Sequence, residues 1–127
     1  MAARRALIGA LASAALVVTA SSTPVNAHAV LVKSAPVARA VLGHPPDRVA
    51  LWFNERLEPA FSTVSVWSAS GVQVDRRDAG VGHDDPKRLS VTLPAVAVGT
   101  YTVRFRVLSV DGHIVEASFS FTVKANR

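Results

Sequence analysis

Two runs of alternating residues near the C-terminal end constrain the fold of this chain more than any other feature. In the first run apolar side chains recur at every second position: Tyr101, Val103, Phe105 and Val107. The second run repeats the pattern with Val115, Ala117, Phe119, Phe121 and Val123. A period of two places successive side chains on opposite faces of an extended chain, so each run predicts a half-buried strand. The sequence Asp111-Gly112-His113 lies in the connection between them.

Alternation of this kind recurs along most of the chain and predicts an all-β fold. Seven short stretches are predicted strands, most of them alternating, with turn-forming residues at intervals of about ten residues. They are 28–33, 48–55, 62–67, 72–74, 89–93, 101–107 and 115–123. No stretch shows a convincing helical periodicity. We therefore predict an antiparallel β-sandwich of about seven strands with Greek-key connections. The polar stretch 75–88 is the best candidate for a mobile loop.

The first 27 residues have the three parts of a secretory signal peptide. Arg4-Arg5 form a short basic region, residues 6–20 are almost wholly apolar, and residues 25–27 place small side chains at a cleavage site. The apolar run is shorter than the roughly 20 residues that a membrane-spanning helix needs. We therefore predict cleavage after Ala27, export to the periplasm, and a mature domain of residues 28–127.

Composition excludes several kinds of site and partner. The chain has no cysteine and its single methionine is Met1, so the mature domain has no sulfur ligand for Cu(I). Without Arg4 and Arg5, Lys plus Arg falls from 14 to 12 against nine acidic residues, and the net charge falls from +5 to +3. This weak charge, with no aromatic residues interleaved among the basic ones, argues against nucleic-acid binding. The domain must also fold without a disulfide bond.

His28 becomes the N-terminal residue if cleavage follows Ala27. Its α-amine and its ring nitrogen Nδ1 could then bind one metal ion together, since a metal ion can displace the amine proton near neutral pH. Such a chelate, completed by a second imidazole and a carboxylate, suits tetragonal Cu(II). The alternative for His28 is a frayed terminus without a role.

Asp111 and His113 are the candidates for the remainder of such a site. Two residues apart on an extended chain, they can point to the same side with Cα atoms about 6.5–7 Å apart. The alternative is an ordinary hairpin turn, because Asp-Gly favours such turns and Asp111 could accept hydrogen bonds from its own backbone.

Glu55 places a carboxylate at the end of an otherwise apolar strand face. It could bind a metal, accept a hydrogen bond that orients a ligand histidine, or lie at the surface. His44, in a proline-rich turn, and His83, in the polar loop, are predicted to be solvated residues without a metal, because ordering a flexible loop around an ion costs entropy.

Three segments of the chain together match a known pattern. Residues 27–36 place His28 before a Ser-Ala-Pro break, residues 49–55 end in Phe-Asn-Glu, and residues 99–123 contain the Asp-Gly-His sequence between two alternating runs. On these segments the chain resembles the CopC family of exported copper-binding, copper-resistance proteins. The resemblance covers essentially the whole mature domain.

This resemblance implies a small Ig-like Greek-key sandwich or barrel that holds Cu(II) through the amine and imidazole of His28 with Asp111 and His113. It places Glu55 at or beside the metal. It also implies a monomeric carrier or buffer in copper homeostasis and resistance, with a CopD-type inner-membrane copper transporter as partner. Some relatives carry a Met-rich loop for a separate Cu(I) site, which this mature chain lacks, so a Cu(II)-only member is expected.

Two other functions are alternatives. Copper oxygenases related to lytic polysaccharide monooxygenases also use an N-terminal histidine brace, but they need open copper positions for oxygen, and Asp111 would fill one. Few aromatic residues could form a flat sugar-binding face: Trp52, Trp67 and Tyr101. A metal-free exported Ig-like interaction module would leave the three matching segments as coincidence. We therefore predict a binding protein and not an enzyme.

Overall fold

The computed structural model describes residues 13–15, 17 and 29–126. Eight strands and one 3₁₀ turn are found there: β1 Leu31–Ala35, β2 Val41–Leu42, β3 Arg48–Phe53, the 3₁₀ turn Pro59–Phe61, β4 Thr63–Ser68, β5 Gly80–Val81, β6 Arg88–Thr92, β7 Gly99–Leu108 and β8 Ile114–Val123. None of the described residues belongs to a helix that is long and apolar enough to cross a membrane. His28 and nearly all of the predicted signal peptide lie outside the described residues.

The strands form two four-stranded sheets. One has the order β1-β3-β6-β5, and the other has the order β2-β8-β7-β4. The chain passes from one sheet to the other after β1, β2, β3, β4 and β6. This all-β sandwich confirms the predicted fold class. One pairing departs from the antiparallel expectation, because β2 runs parallel to β8.

The number of strands is eight rather than about seven. Six predicted stretches are strands, but 72–74 is not, and makes a single bridge between Trp67 and Gln73 instead. The two additional strands, β2 and β5, contain two residues each. Elements of that length are too short to show an alternating pattern, so the sequence gives no indication of them.

The core lies between the two sheets and confirms the predicted inner face of β7. Its four alternating residues are at most 6% exposed: Tyr101, Val103, Phe105 and Val107. The β8 prediction holds only in part. Phe121 and Val123 are buried, whereas Val115 and Phe119 are half-buried and Ala117 is exposed. The reason is that these three residues line an open groove with Leu31 and Ala38, where the two sheets do not close over them.

The stretch 75–88, expected to be mobile, is held to both sheets. Asp75 is 8% exposed, and its carboxylate accepts hydrogen bonds from Val66 N and Arg77 N, both at 2.8 Å. The Asp78 carboxylate accepts the Thr92 N–H at 2.8 Å, which holds the segment to β6. Aspartates that accept backbone hydrogen bonds in this way order a polar segment without giving it an alternating pattern.

Candidate metal centre

The Asp-Gly-His sequence forms a closed turn between β7 and β8. Ser109 N–H donates to the His113 carbonyl at 3.0 Å, and Gly112 N–H donates to the Ser109 carbonyl at 2.9 Å. Gly112 has φ of +94°, a conformation that glycine adopts at little cost. The turn connects two ten-residue strands that pair along their whole length. Its position relative to the sheet is therefore fixed.

Within this turn Asp111 and His113 approach each other closely. Asp111 Oδ1 lies 3.2 Å from His113 Nδ1, and the same oxygen accepts the His113 N–H at 3.3 Å. The side chains are 27% and 44% exposed, respectively. The two side chains are therefore held together near the surface, although the His113 Nδ1 atom that faces Asp111 is itself shielded from solvent.

Ser109 holds the Asp111 carboxylate from the protein side. This serine is 0% exposed, and its hydroxyl donates a short hydrogen bond to Asp111 Oδ1. That bond is the main cause that lowers the pKa of the Asp111 carboxyl below its usual value, with further lowering by the His113 backbone and ring. A lowered pKa favours the ionised carboxylate, which is the form that binds a metal ion.

The segment that follows β3 joins this turn to the start of the described domain. Val30 N–H donates to Asn54 Oδ1 at 2.6 Å, and Asn54 N–H donates to the Val30 carbonyl at 3.1 Å. Two residues later, the Arg56 carbonyl accepts the Val110 N–H at 3.0 Å. Asn54 therefore holds the chain start and Arg56 holds the turn, and the Cα atoms of these two residues are at most about 7 Å apart.

Glu55 lies between those two attachment points. It is half-buried and follows the end of β3 at Phe53, so the strand is shorter than the predicted 48–55. Among the described residues, no group of three or more His, Cys, Asp or Glu side chains is arranged to hold a metal ion. The structure thus brings Asp111 and His113 together, but it does not add Glu55 to them as a third ligand. His28, the fourth predicted residue, lies outside the described part.

The other two histidines lie elsewhere. His44 Nε2 lies 3.3 Å from the side-chain nitrogen of Asn126. His83 is exposed, and its neighbour Asp84 forms an ion pair with Arg88 at 2.6 Å. Because Arg88 takes up that carboxylate, the His83 loop offers little to a cation.

The Asp111–His113 pair fits a metal of the borderline kind. Two ligand atoms that each lie about 2.0 Å from one ion, in neighbouring positions around it, are about 2.8–3.3 Å apart. The observed separation of 3.2 Å falls in that range, which is also reached by an N–H···O hydrogen bond between the two side chains. One imidazole and one carboxylate are two ligands, whereas Cu(II) in a tetragonal site takes more.

Sequence reasoning missed two residues that shape the candidate site. Ser109 continues the buried alternation of β7 by one further step, so the pattern that located Tyr101 and Val107 could also have located it. Asn54, which anchors the chain start, carries no such pattern, because its role depends on a contact 24 residues away in sequence.

Comparison with known proteins identifies the family. The sequence profile of the CopC domain matches residues 31–124. The chain belongs to the CopC family. The CopC crystal structure from Methylosinus trichosporium OB3b is 40% identical, with a TM-score of 0.73, and covers 79% of this chain and 97% of its own.

Two further relatives agree. The crystal structure of PcoC, a methionine-rich copper resistance protein from Escherichia coli, is 30% identical with a TM-score of 0.68, covering 77% of this chain and all of its own. Protein YobA of Escherichia coli K12 is 35% identical over 112 residues, covering 87% of this chain and 90% of its own. These matches confirm both the predicted family and the sandwich fold.

Replacement of Gly112 by alanine should weaken the turn. An alanine Cβ would meet no atom within 4 Å there, so the whole cost comes from the positive φ, about 1–2 kcal/mol of the free energy of unfolding. Urea unfolding measures it. The matched control is Gly43→Ala, which also has open space for a Cβ and has no positive φ. Equal losses in the two variants would contradict this explanation.

Proposed function

We propose that this protein is an exported copper carrier or buffer whose processed form begins at His28 and holds one Cu(II). The ligands are the His28 amine and imidazole, Asp111 and His113. The observation that carries the proposal is the Asp111–His113 pair, whose facing atoms are 3.2 Å apart in a turn joined to the start of the domain. Family membership supports copper as the ion.

The fixed start of the domain supports a role for His28. Ala29, the next residue in the chain, is 2% exposed and packs in the core. Val30 is held to Asn54 by two hydrogen bonds. Since the turn is held to Arg56, two residues further along the same segment, a histidine preceding Ala29 needs to bridge only a short distance to reach Asp111 and His113.

The chemistry of this donor set favours the cupric ion. Two imidazoles, an amine and a carboxylate are nitrogen and oxygen donors, and at such sites Cu(II) is bound most tightly among the first-row divalent ions. The mature chain has no cysteine or methionine, so it offers no sulfur to Cu(I). In this respect it differs from PcoC, which is methionine-rich.

Glu55 is proposed to act beside the metal rather than as a principal ligand. It is half-buried on the segment that connects the two halves of the site, between Asn54 and Arg56. From there its carboxylate could accept a hydrogen bond from a ligand imidazole and so fix the tautomer that binds the ion.

A carrier explains the site better than an oxygenase does. With an amine, two imidazoles and the Asp111 carboxylate around Cu(II), few positions are left for oxygen and substrate. We propose that the domain acts in the periplasm as a monomer and passes copper to a CopD-type inner-membrane transporter. The proposed signal peptide directs the protein to the periplasm. Its removal after Ala27 frees the His28 amine, which is the fourth donor atom.

The purified, naturally processed protein should bind one equivalent of Cu(II). Its electron paramagnetic resonance spectrum should be axial and nitrogen-rich, because three of the four proposed donor atoms are nitrogens. Intact mass of the same sample establishes where the chain begins. A processed chain that starts at His28 and yet binds no copper would refute the proposal.

A further inference from the structure

Ser109 lies at this site but is not one of the proposed copper ligands. It is 0% exposed, and its hydroxyl donates a short hydrogen bond to Asp111 Oδ1. We propose that Ser109 is a positioning residue for copper, whose buried hydroxyl holds the Asp111 carboxylate in its metal-binding orientation beside His113. This inference rests on the proposed function.

Ser109 itself is fixed by its backbone. Its N–H is bound to the His113 carbonyl at 3.0 Å, and its carbonyl accepts the Gly112 N–H at 2.9 Å. A bridge to Leu57 joins it to the segment after β3. Because these three interactions hold the backbone of Ser109, its hydroxyl has a fixed position from which it can orient the Asp111 carboxylate.

The hydroxyl proton of Ser109 goes to Asp111. Ser109 Oγ also lies 3.3 Å from the His113 carbonyl, but a hydroxyl has only one proton to donate. The Asp111 carboxylate is both the nearer acceptor and the charged one, and hydrogen bonds to charged acceptors are the stronger ones.

The bond from Ser109 orients the Asp111 carboxylate before an ion arrives. Asp111 is 27% exposed and would otherwise sample several rotamers in solvent. The contacts from Ser109 Oγ, His113 N and His113 Nδ1 all meet its Oδ1. A carboxylate that is already oriented loses less conformational freedom when the metal binds, and the affinity rises accordingly.

Ser109→Ala removes the hydroxyl and keeps the backbone bonds. We expect it to lower Cu(II) affinity by about 10–100-fold, the range found for hydrogen-bond partners of metal ligands. Its electron paramagnetic resonance parameters should also shift, because the Asp111 oxygen would bind differently. Ser109→Thr, which retains the hydroxyl, should restore both the affinity and the spectrum, and it serves as the second test if the alanine variant does not fold.

Ser62→Ala is the matched control. Ser62 is 6% exposed and its hydroxyl accepts the Leu108 N–H at 3.2 Å, one residue before Ser109, so a buried serine hydroxyl is lost from the same region. Its copper affinity and spectrum should be those of the unmodified protein. Equal effects of Ser62→Ala and Ser109→Ala, or no effect of Ser109→Ala, would overturn the inference.

A double-variant cycle separates this inference from the proposed function. In an Asp111→Ala background, Ser109→Ala should cause no further loss of affinity, because the hydroxyl acts through that carboxylate. An additional loss of tenfold or more would overturn the positioning role. If Asp111→Ala itself binds Cu(II) as tightly as the unmodified protein, the proposed ligand set fails instead.

Discussion

A chain that begins at His28 is expected to bind Cu(II) more tightly, by roughly 100-fold or more, than the same chain with one alanine added before it. In the extended chain the nitrogen of His28 belongs to a peptide bond and its amine is lost. The chelate ring formed by one residue's amine and imidazole can then no longer close. Loss of a ligand should exceed the roughly 10–100-fold that loss of a ligand's hydrogen-bond partner costs.

Competition with a Cu(II) chelator of known affinity measures this difference. Thermal unfolding gives an independent readout, since an ion present at about 100 times its dissociation constant stabilises the native state by about 2.7 kcal/mol. The unfolding temperature without copper should be the same for both chains, because Ala29 and the rest of the core are unchanged. This comparison separates a lost ligand from a damaged fold.

A third chain sharpens the test. His28→Ala keeps the free amine and removes the imidazole, so it should also bind weakly if both nitrogens act together. Equal copper affinity for the original and the extended chain would eliminate the amine–imidazole chelate. The Asp111–His113 pair would then have to find its remaining ligands elsewhere.

The two halves of the proposed site were not equally accessible to sequence reasoning. Asp111 and His113 could be located because they lie between two strands whose alternation is unambiguous, and a short hairpin turn keeps sequence neighbours together in space. The 3.2 Å approach of their side chains follows from that local geometry. The alternation of β7 could have predicted that Ser109 is buried, but it could not show that its hydroxyl binds Asp111, because periodicity indicates a face and not a hydrogen-bond partner.

Glu55 illustrates what sequence reasoning could not resolve. Its strand was predicted to reach residue 55, which would have made Glu55 continue the apolar face of Phe53. Instead β3 ends at Phe53, and the backbone of residues 54–58 binds the chain start, the turn and Pro86. Those bonds join segments far apart in sequence, and no local periodicity encodes them.

His113→Ala should lower Cu(II) affinity by at least about 100-fold, and Asp111→Ala by a comparable or smaller factor. The imidazole is the stronger donor for Cu(II), and its removal leaves a gap that only water can fill. The spectrum of His113→Ala should lose one nitrogen coupling, whereas that of Asp111→Ala should keep all of them. The two spectra therefore report the roles of the two side chains separately.

The controls are the two histidines that the structure places outside the site. His44→Ala and His83→Ala each remove one imidazole. His44 lies beside Asn126, and His83 lies in the loop that contains the Asp84–Arg88 ion pair. Both should retain the affinity and spectrum of the unmodified protein. If His83→Ala weakens binding as much as His113→Ala, the copper would lie in the 83–88 loop, and the turn between β7 and β8 would be an ordinary hairpin turn.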